Sequence, residues 1–277
     1  MQTISHQIKG SNDKIILIDI TFKKSDKLQP VILFCHGFKG FKNWGHFDEI
    51  AQAFAQQGFV FVKFNFSHNG TTINQPTDFV DLAAFSENNF SKELNDLGFV
   101  IDFVEDTIEQ FSGNKQQLNL IGHSRGGGIA ILKAFEDKRI KRLITWASVK
   151  DFVDFFKHQN IDNWRKEKYN YILNGRTNQN MPMHVQIYED FLLHKHRLEI
   201  AEAAKKINIP WLIVHGENDT SVSVACAKIL HQQNEQSQLL IIENADHTFG
   251  GKHPWNNAEL PTASKQLIAE SIRFLQT

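Results

Sequence analysis

Cysteine is scarce: the 277 residues include only Cys35 and Cys226, both among apolar neighbours. Two such thiols make no disulfide framework, which sets aside the small stapled folds of secreted proteins. An excess of either charge is missing too, with 30 Lys and Arg against 31 Asp and Glu. No global field recruits nucleic acid or an anionic membrane, and neither is expected as a partner. No stretch of 18 residues runs without a charge, and the opening MQTISHQIKGSNDK lacks an apolar h-region. A cytoplasmic protein is the resulting expectation. The signatures HExxH, CxxC and the P-loop are absent as well, so neither metal nor cofactor is expected.

What is present is ordinary for a globular chain, with 41% hydrophobic and 22% charged residues, enough to bury one substantial core. Short apolar runs alternate with longer segments of helical period. Ile15–Phe22, Val31–Cys35, Phe59–Phe66, Leu118–Ile121, Leu143–Ala147, Trp211–Val214 and Leu239–Ile242 read as strands. All but the first are nearly continuous, as central strands covered on both faces are. Amphipathic segments over Phe47–Gln57, Ser91–Phe111, Ile129–Phe135, Val222–Gln233 and Thr262–Leu275 read as helices. The repetition predicts an α/β fold with a mostly parallel sheet wrapped by helices, and the first strand as an antiparallel edge addition.

One segment breaks the rhythm. Residues 151–207 replace a single crossover and read as a cap or lid inserted into a domain spanning 1–277. Within it, Tyr169, Tyr171 and Leu173 alternate on one arm of an expected hairpin. Met183, Val185 and Ile187 alternate on the other, and turn residues fill the tip from Asn174 to Pro182. A charged, helix-like run follows from Glu189 to Lys206.

The chemistry concentrates around Gly122-His123-Ser124-Arg125-Gly126, a G-x-S-x-G pattern between an apolar strand and a helix. Two further glycines follow, although each glycine inside a helix costs about 1 kcal/mol relative to alanine. Glycines there let neighbouring backbone pass without a Cβ clash, and a tight strand-to-helix turn lifts Ser124 above the sheet edge at a helix N-terminus. A serine hydroxyl needs a base. His247 follows the last strand and fits, whereas His36, His123 and His215 flank strand ends as packing or loop residues. An imidazole in turn needs a carboxylate to hold its tautomer. Asp219, after the penultimate strand, is preferred over Asp151, and Glu217 and Asp246 read as solvated loop carboxylates. The oxyanion of an acyl-transfer intermediate needs two fixed donors, each worth roughly 3–4 kcal/mol. The backbone N–H groups of Arg125 and of Phe38, in His36-Gly37-Phe38-Lys39-Gly40, are the candidates.

Together HGFKG, FVKFNFSHNGTT, GHSRGG, HGENDTSVS and ADHTF resemble the α/β-hydrolase superfamily over nearly the whole chain. Within it, the HGF-type loop and the insertion after the sixth strand are similar to bacterial feruloyl and cinnamoyl esterases and to dienelactone-hydrolase-like enzymes. The resemblance implies a catalytic Ser124, Asp219 and His247, oxyanion donors at Phe38 and Arg125, and a small-molecule ester as substrate. Two departures stand out. Ser67-His68-Asn69-Gly70-Thr71 replaces the R-G-x-G-x-S loop of relatives, and Arg125 replaces their usual Gln or Met. The expected reaction is hydrolysis of a carboxylic ester through an acyl-enzyme, with a peptidase or amidase and a non-catalytic binding protein as the alternatives. Trp164, Tyr169, Tyr171 and nearby Phe residues would suit an aromatic or medium-length acyl group. Arg176 at the hairpin tip reads as solvent-exposed, and His194-Lys195-His196 as a solvated helix face.

Overall fold

Along Val31–Cys35, successive side chains enter two different cores. Val31, Leu33 and Cys35 join one, while Ile32 and Phe34 join the other. A continuous apolar run does this only as a strand covered on both faces. The computed structural model describes residues 1–277 and builds the whole chain around such strands.

In chain order the first elements are β1 (Gln2–Lys9), β2 (Ile15–Phe22), β3 (Gln29–Cys35), α1 (Phe47–Gln56), β4 (Val60–Phe64), α2 (Leu82–Ser86) and α3 (Phe90–Thr107). Next come β5 (Gly113–His123), α4 (Arg125–Glu136), β6 (Ile140–Trp146), α5 (Ile161–Glu167), β7 (Tyr169–Asn174), β8 (Gln179–His184), α6 (Gln186–Leu193) and α7 (Ile200–Lys206). The chain closes with β9 (Trp211–Gly216), α8 (Ala225–Gln233), β10 (Gln238–Ile242) and α9 (Thr262–Gln276). Eight strands form one sheet in the order β1-β2-β4-β3-β5-β6-β9-β10, and β7 pairs with β8 apart from it. The pairs from β4 to β10 are parallel, while β1–β2 and β2–β4 are antiparallel. Side chains of α1 and α9 fill the core on one face, and those of α3, α4 and α8 fill the other.

Four sequence expectations need correction. Ile15–Phe22 is antiparallel but is not the edge, because β1 pairs along its full length. QTISHQIK offers only Ile4 and Ile8 as apolar residues, with the polar His6 between them packing on Phe103 and Phe111, and most of the strand is exposed, so its period was easily missed. The helix after Ser124 starts at Arg125 rather than Ile129, which places the three glycines inside its first turns. The run Glu189–Lys206 is two helices, α6 and α7, separated by a turn after Leu193. The hairpin is present, but its tip is 175–178 and its second arm ends at His184.

The segment between β6 and β9 shares the larger core. Phe152 stacks on Phe90 of α3 with centroids 3.9 Å apart, and Phe156, Trp164, Met181, Met183 and Phe191 are buried with it. Trp164 donates Nε1–H to the Met183 carbonyl at 2.9 Å, tying α5 to β8. The hairpin tip is fastened to the loop before α2, where Arg176 donates to Asp78 at 2.9 Å and Gln179 to the Phe79 carbonyl at 3.0 Å.

Candidate active site

Ser124 occupies the one-residue turn between β5 and α4, with φ 57° and ψ −122°. A non-glycine residue stays in such a strained conformation only when its surroundings over-determine it. Here the Ser124 N–H donates to the Trp146 carbonyl at 2.9 Å, and the Ser124 carbonyl accepts from Gly127 at 3.0 Å. Gly126 explains why a side chain is excluded at this point. A Cβ there would lie 2.4 Å from the carbonyl oxygens of both Cys35 and His36. The first turn of α4 therefore rests directly on the end of β3, and Ser124 sits at a helix N-terminus where partial positive charge favours an anion.

His247 follows β10, and its Nδ1–H donates to Asp219 Oδ2 at 2.7 Å. Asp219 is buried in the loop after β9. Its Oδ1 accepts the backbone N–H groups of Ser221 and Val222, both at 2.8 Å. A second imidazole, His215 Nε2, approaches Oδ2 at 3.2 Å while donating to the Val222 carbonyl at 2.8 Å. Burial alone would raise the Asp219 carboxyl, but the donors from His215, His247 and Val222 prevail and hold it well below the usual carboxylate range. A carboxylate on Nδ1 sets the tautomer that leaves Nε2 with a lone pair. His247 and Ser124 line the same cavity without a direct hydrogen bond between them, a contact that in ligand-free sites often tightens only on binding. Asp151 lines the larger cavity but meets no imidazole: it pairs with Lys150 and accepts the Asp154 N–H at 2.8 Å, shaping the turn after β6.

The three other strand-end histidines have structural partners. His123 Nε2 bonds the His247 carbonyl at 2.9 Å, and burial pulls its pKa down to about 3. His36 bonds the Gly37 carbonyl through Nδ1 at 2.9 Å and accepts the Phe66 N–H at 3.3 Å, and burial lowers it to about 4. The carbonyls close to the site are thus held by neutral rings. Asp246 and Glu217 also have loop-shaping partners, Gly250 N–H for the first at 2.8 Å and Asn244 N–H for the second at 3.1 Å.

Gly37 brings the HGFKG loop against the serine, since a Cβ there would meet Ser124 Cβ at 2.9 Å and Oγ at 3.3 Å. The Phe38 N–H makes no bond to another backbone carbonyl. Below this loop lies a feature that motif reading missed. Asp19 of β2 binds Lys63 of β4 at 2.8 Å and also Lys42, and all three are buried. The Lys42 N–H donates to Asn65 Oδ1 at 2.6 Å, so the cluster anchors the chain that leaves the loop. Burial would raise Asp19, yet the two ammonium groups bring it down to about 2. The signal was visible as one acid and one lysine inside otherwise apolar strands.

Two cavities flank Ser124 and His247. The larger, about 540 Å³, is walled by Phe38, Phe90, Phe152 and Phe155, together with Arg125. The smaller, about 200 Å³, is walled by Trp44, Phe47, Asn174 and Thr248. Of the aromatic residues expected from the insertion, Phe152 and Phe155 line the larger cavity, while Trp164, Tyr169 and Tyr171 line neither. Trp164 is 1% exposed inside the core, whereas Tyr169 and Tyr171 point to solvent at 43% and 62%. Asn174, which the alternation places on the opposite face of β7, is the residue of that strand that reaches the site.

A mostly parallel sheet, helices on both faces and a residue strained at the β5–α4 turn define an α/β-hydrolase fold. The sequence pattern of the BD-FAE family matches residues 18–233, and the chain belongs to that family. Among solved structures it is similar to the esterase domain of a Rhodothermus marinus protein. That match has 19% identity and a TM-score of 0.65, covering 99% of this chain and 100% of that one. It is also similar to the α/β hydrolase GrgF from Penicillium sp. sh18, at 15% identity and a TM-score of 0.76, covering 100% and 98%. Est1E from Butyrivibrio proteoclasticus, solved with ferulic acid bound, matches at 16% identity and a TM-score of 0.70, covering 97% and 96%. Identities this low speak to the fold. No curated protein matches the chain. No helix is long and apolar enough to cross a membrane.

Proposed function

We propose that this protein is a serine hydrolase that cleaves a carboxylic ester through an acyl-enzyme. The observation that carries the reading is the 2.7 Å bond from His247 Nδ1–H to a buried, ionised Asp219, on a ring that shares a cavity with a serine strained at a helix N-terminus. His247 Nε2 takes the Ser124 proton as Oγ attacks the ester carbonyl. The backbone N–H groups of Phe38 and Arg125 receive the oxyanion, each worth roughly 3–4 kcal/mol. The imidazolium, stabilised by Asp219, returns the proton to the leaving alcohol. Water, deprotonated by the same ring, then releases the acid and restores the serine.

The Phe-walled cavity suits the acyl group, aromatic or of medium length, and the smaller cavity suits the alcohol. Residues 151–207 act as a cap over both. A screen of p-nitrophenyl esters, hydroxycinnamate esters and aminoacyl amides tests the assignment. Ester turnover should fall roughly 10⁴-fold or more in Ser124→Ala with folding intact. Retained turnover in that variant removes the mechanism. Faster cleavage of the amides reassigns the enzyme as a peptidase or amidase, and no turnover of any substrate favours a binding protein.

A further inference from the structure

The Arg125 side chain is 5% exposed, yet it is poorly satisfied. Its Nη1 donates to Glu93 Oε1 at a long 3.3 Å, and Asn88 Nδ2 donates to that same oxygen at 2.7 Å. Three polar atoms of this buried cluster have no partner: Arg125 Nη2, Glu93 Oε2 and Asn88 Oδ1. Around the guanidinium stand three rings, with its carbon 3.9 Å from the Phe38 centroid, 4.6 Å from Phe155 and 5.0 Å from Phe90. A buried donor without an acceptor costs on the order of 1–3 kcal/mol, and more when charged. Such a cost persists at a cavity wall when a ligand supplies the missing acceptor.

Arg125 lines the larger cavity beside Ser124. An acyl group running from Oγ past the Phe walls would bring its distal atoms to the guanidinium. Charge then narrows what those atoms can be. Glu93 already neutralises Arg125 inside a desolvated cluster, Lys150 on the same cavity wall is paired with Asp151 and Asp154, and Lys39 donates to the Leu173 carbonyl, so a ligand carboxylate at the guanidinium would add an unbalanced negative charge there. A neutral oxygen completes the donor without that penalty.

Resting on the serine-hydrolase reading, we propose that the Arg125 side chain is a specificity-determining residue. It donates Nη2–H to a neutral acceptor oxygen (keto, ether or hydroxyl) on the acyl group. Half-buried Phe38 and Phe155 cover the guanidinium and turn aside to admit that oxygen. The protein thereby selects oxygenated acyl groups over both plain alkyl and carboxylate-bearing ones of equal length.

The test uses p-nitrophenyl hexanoate, 4-oxohexanoate, 5-oxohexanoate and the monoester of adipate. KM is measured on the wild-type chain, and Kd by calorimetry on the non-reacting Ser124→Ala form. One oxo ester should bind about 10- to 100-fold more tightly than hexanoate, the range for a hydrogen bond to a charged group, with adipate the weakest. Arg125→Met should erase that preference. The double variant Arg125→Met/Glu93→Gln, which leaves no unpaired buried charge, should erase it while folding normally. Equal binding of all four esters to the parent chain overturns the inference, as does a preference that survives in the double variant. A uniform loss across the esters would mean that Arg125 only supports the fold. Failure of the hydrolase reading is read separately, as binding without turnover in the wild-type chain.

Discussion

His123 Nε2 donates to the main-chain oxygen of His247 across 2.9 Å, and their rings lie 4.9 Å apart, centroid to centroid. The residue before Ser124 thus holds the loop that carries His247. Because burial keeps His123 neutral down to about pH 3, this donor is unaffected by pH over the range in which an esterase is assayed. Replacing His123 with Phe keeps a ring but deletes the donor. The kcat for p-nitrophenyl acetate should fall about 10- to 100-fold, the effect of slight misplacement of a reacting group, while KM changes little. An unchanged kcat would show that the loop is positioned without this bond.

The two aspartates offered by the sequence should separate cleanly. Asp219→Asn swaps the acceptor on His247 Nδ1 for a group that no longer fixes the tautomer, and kcat should drop by about 10⁴. Asp151→Asn changes a cavity-lining carboxylate that shapes the turn after β6 but contacts no imidazole, and should cost less than about tenfold. The reverse ranking in steady-state kinetics would reassign the acid.

Stability should decline at mildly acidic pH because of buried imidazoles. Burial pulls His36, His46 and His68 down to about 4 and His123 to about 3. In the unfolded chain the same groups titrate near 6.5. Between those values the unfolded state binds more protons, so folding stability is complete above about pH 6.5 and is lost as the pH falls towards 4. Each such histidine contributes a slope of about 1.4 kcal/mol per pH unit. Urea unfolding at pH 7.5 and pH 5 reads this directly, and His46→Asn should reduce the slope by one proton. A midpoint that does not move between the two pH values would contradict the assignment.

Asn174, at the end of β7, should govern the alcohol side. Asn174 is buried against the smaller cavity with its Nδ2 unpartnered, and Lys39 Nζ holds the neighbouring Leu173 carbonyl at 3.2 Å. Asn174→Ala should change the relative rates of esters that differ only in their alcohol by about five- to tenfold, the worth of one hydrogen bond. Preferences among acyl groups with a common p-nitrophenyl leaving group should stay as they were. Equal changes in both series would make the segment structural.

Much of the site was readable because its pieces are local. A glycine-flanked serine between a strand and a helix is a single short turn, and Asp219 and His247 each follow a strand on the same side of a parallel sheet. The insertion resisted the same treatment. Alternation along β7 correctly put Tyr169, Tyr171 and Leu173 on one face, but period alone could not say that this face meets water. The Phe residues that line the cavity are Phe38 from the loop after β3, Phe90 from the start of α3, and Phe152 and Phe155 from the first residues of the insertion.

By itself the sequence determined the central strands and the helices between them, the parallel core and the turn at Ser124, because backbone sterics and side-chain period act within a few residues. Tertiary packing alone decided that His215 joins His247 on Asp219 and that Asp19 gathers two lysines beneath the HGFKG loop. It also brought Arg125 against Glu93 behind three rings. Those pairings join residues from separate elements, and their energies depend on a desolvated interior that exists only once the sheet has closed around it.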